Sequence, residues 1–245
     1  MATSEIINKN GIVLRSTSVK DADAMILAIN EEGFFSFYSH GAKKLTSKFG
    51  ASTTPLTYAS FTLRKSSSGS LTLSEASNSV SLMPAGDDLV AMSIASVLLE
   101  ITTVLVQEDE APEVYPYLKA ALDAIAKGSD PYCAGLVYFA HVLNTMGIGL
   151  TVDGCVSCGA KKDIVALSFS EGGFICRGCL EDMGGIKTPL ERLKIYRYIF
   201  KAPAEDIGRV GFEGAVGKSV FAELNEYLDS LTGTHIKAIG FLEQI

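Results

Sequence analysis

Four of the five cysteines in this chain fall into one repeated spacing, Cys155-Val156-Ser157-Cys158 and Cys176-Arg177-Gly178-Cys179, with 17 residues between the pairs. Two C-x-x-C knuckles can present four thiolates tetrahedrally to Zn²⁺, and the interval suits a short hairpin that folds one knuckle over the other. Tight knuckle turns need positive φ, which Gly159 and Gly178 are placed to supply. Between the pairs, Leu167-Ser168-Phe169 and Phe174-Ile175 flank Glu171-Gly172-Gly173, a hairpin turn signal. The alternatives are two disulfides, an iron centre or free thiols. Met1-Ala2-Thr3-Ser4-Glu5 lacks the basic start and apolar run that secretion needs, so a cytoplasmic protein is expected and disulfides are disfavoured. Structural Zn²⁺ on Cys155, Cys158, Cys176 and Cys179 is the expectation. A catalytic zinc would keep a position open and recruit His, whereas four thiolates close the shell and no H-x-E deaminase motif exists. Cys133, alone in an apolar segment, reads as a small core residue.

The rest of the chain is rich enough in apolar residues, 47% of 245, to bury two or three domains. Up to about residue 82 the apolar residues alternate at period two, giving strands over Glu5 to Thr17, Ala24 to Asn30, Gly33 to His40, Thr57 to Lys65 and Ser70 to Leu82. Ser66-Ser67-Ser68-Gly69 joins the last two as a hairpin loop. Five such strands suit a small Greek-key barrel, for which the oligonucleotide-binding OB-fold is the commonest functional precedent. From Asp87 the period becomes helical. A helix runs to Val106, and two more, Pro112 to Lys127 and Pro131 to Met146, each open on a proline tolerated in the first turn. Thr188-Pro189-Leu190-Glu191 reads as a capping box starting a helix to about Lys201, and Ala215 to Leu231 forms the last long helix. The two most apolar stretches, Leu89 to Val106 and Tyr132 to Val152, carry Glu100 and the set His141, Asn144 and Gly147, and read as buried helices rather than membrane spans.

Net charge is −7, but its distribution matters more. Residues 1 to 82 carry +2, residues 83 to 150 carry −7 with only Lys119 and Lys127 as cations, and residues 151 to 245 carry −2. A basic patch at either end is compatible with this balance. Two glycine motifs fail: Gly217-Lys218-Ser219 has Phe212 where a phosphate loop needs glycine, and Gly147-Ile148-Gly149 has Val152 where a dinucleotide fingerprint needs its third. With only His40, His141 and His235 available, no nucleophile arrangement is recognisable, and His141 reads as a hydrogen-bonded core residue. The carboxylate pairs Asp21 with Asp23 and Glu31-Glu32 fall at turns and read as solvated.

Gly11-Ile12-Val13-Leu14-Arg15, Asp23-Ala24, Gly41-Ala42-Lys43-Lys44, Ser47-Lys48-Phe49, Pro55 and Leu71-Thr72-Leu73-Ser74-Glu75-Ala76, followed by the two cysteine knuckles, resemble the RecO family of bacterial recombination mediators. The resemblance runs through essentially the whole chain in order. It implies an α+β multidomain protein: an OB-fold barrel over residues 1–82, then a helical domain over 83–245 with a four-cysteine zinc knuckle or ribbon inserted at about 150–182. It further implies a cytoplasmic, nucleoid-associated protein without catalytic chemistry or membrane contact. Such a protein binds single- and double-stranded DNA, anneals complementary strands, and works with RecR to load RecA onto strands coated by single-strand-binding protein. Mapped onto this chain, the barrel cations are Arg15, Lys43, Lys44, Lys48, Arg64 and Lys65, with Phe34, Phe35, Phe37 or Tyr38 as candidate stacking aromatics. Period two requires that Phe35 with Phe37, or Phe34 with Tyr38, face the core. His40 stands where the family commonly carries a basic residue. Lys194, Arg197 and Lys201 recur at i, i+3 and i+7 opposite Leu193, Tyr196 and Phe200, a stripe that could extend a DNA surface. The acidic, apolar-ended tail of single-strand-binding protein would need an apolar pocket rimmed by cations, expected at the seam between this helix and residues 83–150. The rival reading is a zinc-stabilised protein interaction scaffold whose barrel touches no nucleic acid; a nucleotide-hydrolysing enzyme would rest on the failed phosphate loop.

Overall fold

The computed structural model describes residues 5–19, 22–242 and 244. Five antiparallel-rich strands, β1 (Glu5–Ser18), β2 (Ala24–Asn30), β3 (Gly33–Ser39), β4 (Thr57–Lys65) and β5 (Leu71–Ser81), close into a barrel of order β1-β2-β3-β5-β4. The long β1 makes closure possible by pairing with β4 through its first half and with β2 through its second. A register shift between Val13 and Arg15 marks the changeover. Period-two alternation sends Val13, Ile26, Phe37, Phe61, Leu63 and Leu73 into the barrel interior, where each large apolar side chain contributes roughly 1.5–3 kcal/mol. Between β3 and β5 the pairing is a parallel bridge, Tyr38 to Thr72.

Three helices follow: α1 (Leu89–Leu105), α2 (Ala111–Ala126) and α3 (Pro131–Thr145). Asp88 and Asp130 cap α1 and α3, accepting from the backbone N–H of Ala91 and Cys133. Next come the hairpin β6 (Ile164–Ser168) and β7 (Gly173–Cys176), the short α4 (Leu180–Met183), and β8 (Ile186–Lys187), which adds to the β6 edge. Helices α5 (Leu190–Lys201), α6 (Gly214–Thr232) and α7 (Lys237–Leu242) complete the chain. The barrel keeps an interior cluster of its own, but Ile12, Leu14, Ile29, Leu56 and Leu82 pack into the same apolar cluster as the helical residues. Among the described residues no helix is long and apolar enough to cross a membrane.

Two local expectations are corrected. Thr188 does not cap α5; its hydroxyl donates to the Ile186 carbonyl and accepts from the Leu167 N–H, pinning β8 to β6. Gly178 is not left-handed, although Gly159 is, at φ +74°. The glycine stretch around residue 217 has a packing role instead of a phosphate-binding one. A Cβ at Gly217 would stand 2.4 Å from the Tyr132 Cβ, so glycine lets α6 approach the start of α3. The Phe212 N–H donates to Asp130 on the same contact.

Gly135 sits where α3 crosses α1 and α6, and a Cβ there would lie 2.7 Å from Ile94 Cγ2 and 2.9 Å from Phe221 Cζ. Gly135→Ala should therefore lower unfolding stability by about 1–3 kcal/mol despite alanine's better helix propensity, measured by urea titration; a stabilised variant would show that this crossing has slack.

Candidate metal centre and barrel cation surface

The four knuckle cysteines converge. Their Sγ atoms all lie within 4.8 Å of one another, with Cys158 and Cys176 3.7 Å apart. Zn–S bonds of about 2.3 Å arranged tetrahedrally set a sulfur–sulfur edge of about 3.8 Å, so the donor set and its spacing fit a zinc ion. The hairpin positions them: Cys155 follows the bridge from Thr151 to β7, Cys176 ends β7, and Cys179 leads into α4. Burial opposes ionisation of Cys155, but N–H groups of Cys176, Cys158 and Ser157 outweigh it and bring its pKa down to about 6. Cys179 is pushed up to about 12, first through its hydrogen bond with Cys158. Four sulfurs this close cannot all ionise without a cation, and a divalent ion held by them would take the place of their protons. Cys133 stands apart, fully buried in α3, its thiol pushed up to about 12 by that burial. His141 stacks on Tyr117 with ring centroids 3.5 Å apart, and burial lowers its pKa.

The expected cations separate into two groups. Arg15, Lys43, Lys44, Lys48 and Arg64 are exposed, and among the described residues no carboxylate lies within ion-pair distance of them. Lys65 is paired with Glu5 at 3.2 Å. Strand register puts one of these, Arg64, at the end of a cross-strand row: Arg64 pairs with Thr72, Thr72 with Tyr38, Tyr38 with Met25, and Met25 with Thr17. Lys43 reaches the Ser16 carbonyl beside this row. The α5 stripe is different. Lys194 pairs with Glu191, while Arg197 and Lys201 converge on Asp153 at 3.4 and 2.7 Å, and Arg197 also donates to the Val152 carbonyl. Leu193, Tyr196 and Phe200 are buried as expected, so the stripe's charged side clamps the cysteine insertion onto α5.

Of the candidate stacking aromatics, Phe35 and Phe37 fill the barrel interior and Phe34 packs against the helical core, which leaves Tyr38. Asp23 is not simply solvated: it accepts from the Tyr38 hydroxyl and the Gly41 N–H. Asp21 lies outside the described residues. Glu32 pairs with Lys9 at 2.5 Å. The sequence does not signal Asp23 and Asp153 as partners, because the group each one meets lies 15 or more residues away. A 130 Å³ depression lined by Val152, Ile164, Phe174 and Leu193, with Asp153, Lys161, Lys194 and Arg197 as its charged residues, lies between α5 and the cysteine insertion. Lys119 pairs with Asp123 and lies over the Tyr58 ring.

Comparison with known proteins now adds the family. The model described as "Recombination protein O N terminal" matches residues 1–80, and the one described as "Recombination protein O C terminal" matches residues 86–238. The chain belongs to the RecO family. It is similar to the DNA repair protein RecO of Bacillus mycoides (strain KBAB4), 28% identical over 238 residues that cover 96% of each chain. The RecO proteins of Bacillus cereus (strain AH187) and Bacillus anthracis are 27% identical over the same coverage. For a RecO family member, the cluster of four thiols and the barrel's cationic face are the two features with chemistry to account for.

If the cluster holds structural zinc, Cys155→Ser and Cys176→Ser should each lower metal content and thermal stability together, because binding and folding are coupled. Elemental analysis of carefully prepared protein should find one zinc per chain. Absence of metal with all four thiols freely reactive would refute the assignment.

Proposed function

We propose that the chain is a DNA repair protein acting as a non-enzymatic recombination mediator: it binds single- and double-stranded DNA, anneals complementary strands, and assists RecA loading together with RecR on strands coated by single-strand-binding protein. One observation carries the reading. The barrel face holds Arg15, Lys43, Lys44, Lys48 and Arg64 exposed with no carboxylate of the described residues in ion-pair reach, although the whole chain is acidic. Cations kept clear of carboxylates are what phosphate neutralisation requires. The strand order β1-β2-β3-β5-β4 in a closed barrel supports assigning residues 1–82 to an OB-fold domain, with 83–245 as a helical domain and the zinc knuckle inserted at about 150–182. In this reading Tyr38 is the one stacking aromatic, and Lys65 contributes once its pairing with Glu5 exchanges for phosphate.

The α5 residues Lys194, Arg197 and Lys201 belong to this surface only secondarily, since each already has a carboxylate partner. Their better use is at the depression beside the insertion, where Lys161, Lys194 and Arg197 outnumber Asp153 over an apolar lining and suit the acidic, apolar-ended tail of single-strand-binding protein. The zinc is structural: it fastens the hairpin whose Asp153 and Val152 meet α5. The alternative, a zinc-stabilised interaction scaffold, draws on that same clamp. Salt dependence separates the two readings.

Lys43→Ala, Lys44→Ala and Lys48→Ala combined should weaken single-strand binding and flatten its salt dependence by about 0.7 in slope per lost phosphate contact. Unfolding stability should change little, because exposed charges contribute little to folding. Base preference should not change, because phosphate contacts carry no sequence information. Annealing of complementary oligonucleotides should slow in parallel, and affinity that is unaltered at low salt would remove this loop from the binding surface.

Titration of a labelled tail peptide against Arg197→Glu and Lys119→Glu should show the larger loss with the first. A loss confined to Lys119→Glu would move the pocket to the middle helices.

A further inference from the structure

Lys43, Lys44 and Lys48, none with an ion-pair partner among the described residues, sit on a loop rather than on a strand, between β3 and β4. A loop can place charges for a phosphate backbone only if something fixes it. Several contacts do so at its start. The Gly41 N–H donates to Asp23 Oδ1 at 2.7 Å, the Tyr38 hydroxyl donates to Asp23 Oδ2 at 2.5 Å, and His40 Nδ1 lies 3.4 Å from the same oxygen. The Lys43 N–H donates to the Ala22 carbonyl at 2.9 Å, and the Ala42 side chain is buried in the barrel core. Gly41 turns the chain at φ +64°, a conformation glycine adopts without strain. The Lys44 N–H then returns to the Gly41 carbonyl and the Ser47 N–H to the Lys44 carbonyl, so the path of the lysines is built outward from Gly41.

We infer that Asp23 is a positioning residue for nucleic-acid binding: its carboxylate, bridging Tyr38 and Gly41, holds the loop so that Lys43, Lys44 and Lys48 project in a fixed row. This rests on the DNA-binding reading above. The carboxylate gains from the arrangement as well, since the Tyr38 hydroxyl and then the Gly41 N–H hold its pKa below the usual carboxylate range. Electrostatics alone gives the opposite expectation. A negative charge beside a phosphate-binding row repels the ligand, so its removal should tighten binding. The two roles of Asp23 therefore have opposite signs.

The test uses the full chain with single-stranded oligonucleotide and compares wild type with Asp23→Ala, Asp23→Asn and Tyr38→Phe. If the loop holds its bound geometry only a tenth of the time in Asp23→Ala, apparent affinity falls about tenfold even though a repulsive charge has gone. Its salt dependence should become shallower, and trypsin should cut faster after Lys43, Lys44 and Lys48. Asp23→Asn keeps an acceptor for the Gly41 N–H and should restore most of the affinity. Tyr38→Phe loses one donor but keeps the ring, and should weaken binding by less and in the same direction; it carries the test if Asp23→Ala does not fold. Affinity that is equal or tighter in both Asp23→Ala and Tyr38→Phe, with the salt slope unchanged, overturns the proposal. Wild-type protein that binds no DNA defeats the functional reading itself, and the trypsin comparison then still decides whether Asp23 holds the loop.

Discussion

A helix buried on every side dictates what must surround it, and α3 is such a helix: Tyr132 through Ala140, with Val142 and Leu143, are all buried. Such a segment has no face to offer water, so other elements must supply complete cover. Helices α1, α2, α5 and α6 do so, and small residues set how near they come, at Gly135 on α3 and Gly217 on α6. Its fully buried Tyr138 hydroxyl is paired, with Thr102 at 2.6 Å. The charged groups of the helical part are then left to work at its rim, where Glu100 caps α7 through the N–H groups of Lys237 and Ala238.

The chain spends its cations in two ways. On α5 they meet carboxylates and fasten one element to another; on the barrel Lys9 and Lys65 are paired, while Arg15, Lys43, Lys44, Lys48 and Arg64 stay exposed without an ion-pair partner among the described residues. A count of charges cannot tell these uses apart, because both stretches look equally basic in sequence. The decisive variable is where the acids fall in space. Asp153, just ahead of the first knuckle, neutralises Arg197 and Lys201 only because the hairpin returns it to α5.

Much of the architecture was legible because it rests on local periodicity. The five strands and the long helices begin and end within a few residues of where alternation and proline put them. The cysteine cluster was legible from spacing alone, since two knuckles on a hairpin have few ways not to converge. What escaped was non-local or too short to have a period. β8 has two residues, and Thr188 serves it rather than α5 because β6 lies within reach of the hydroxyl. Gly178 needed no positive φ, and the sequence pattern of a knuckle does not distinguish it from Gly159. Phe34 meets the helices, a contact that strand alternation cannot anticipate.

The shared core has a consequence for anyone who divides the molecule. Ile12, Leu14, Ile29, Leu56 and Leu82 are barrel residues by sequence, yet their apolar surface is covered by helices. A fragment ending near residue 82 would bring that surface into water as one contiguous sticky patch, and fragments with such patches self-associate. The border between the two parts is a place in the chain, and a cut there would uncover the helices as much as the barrel.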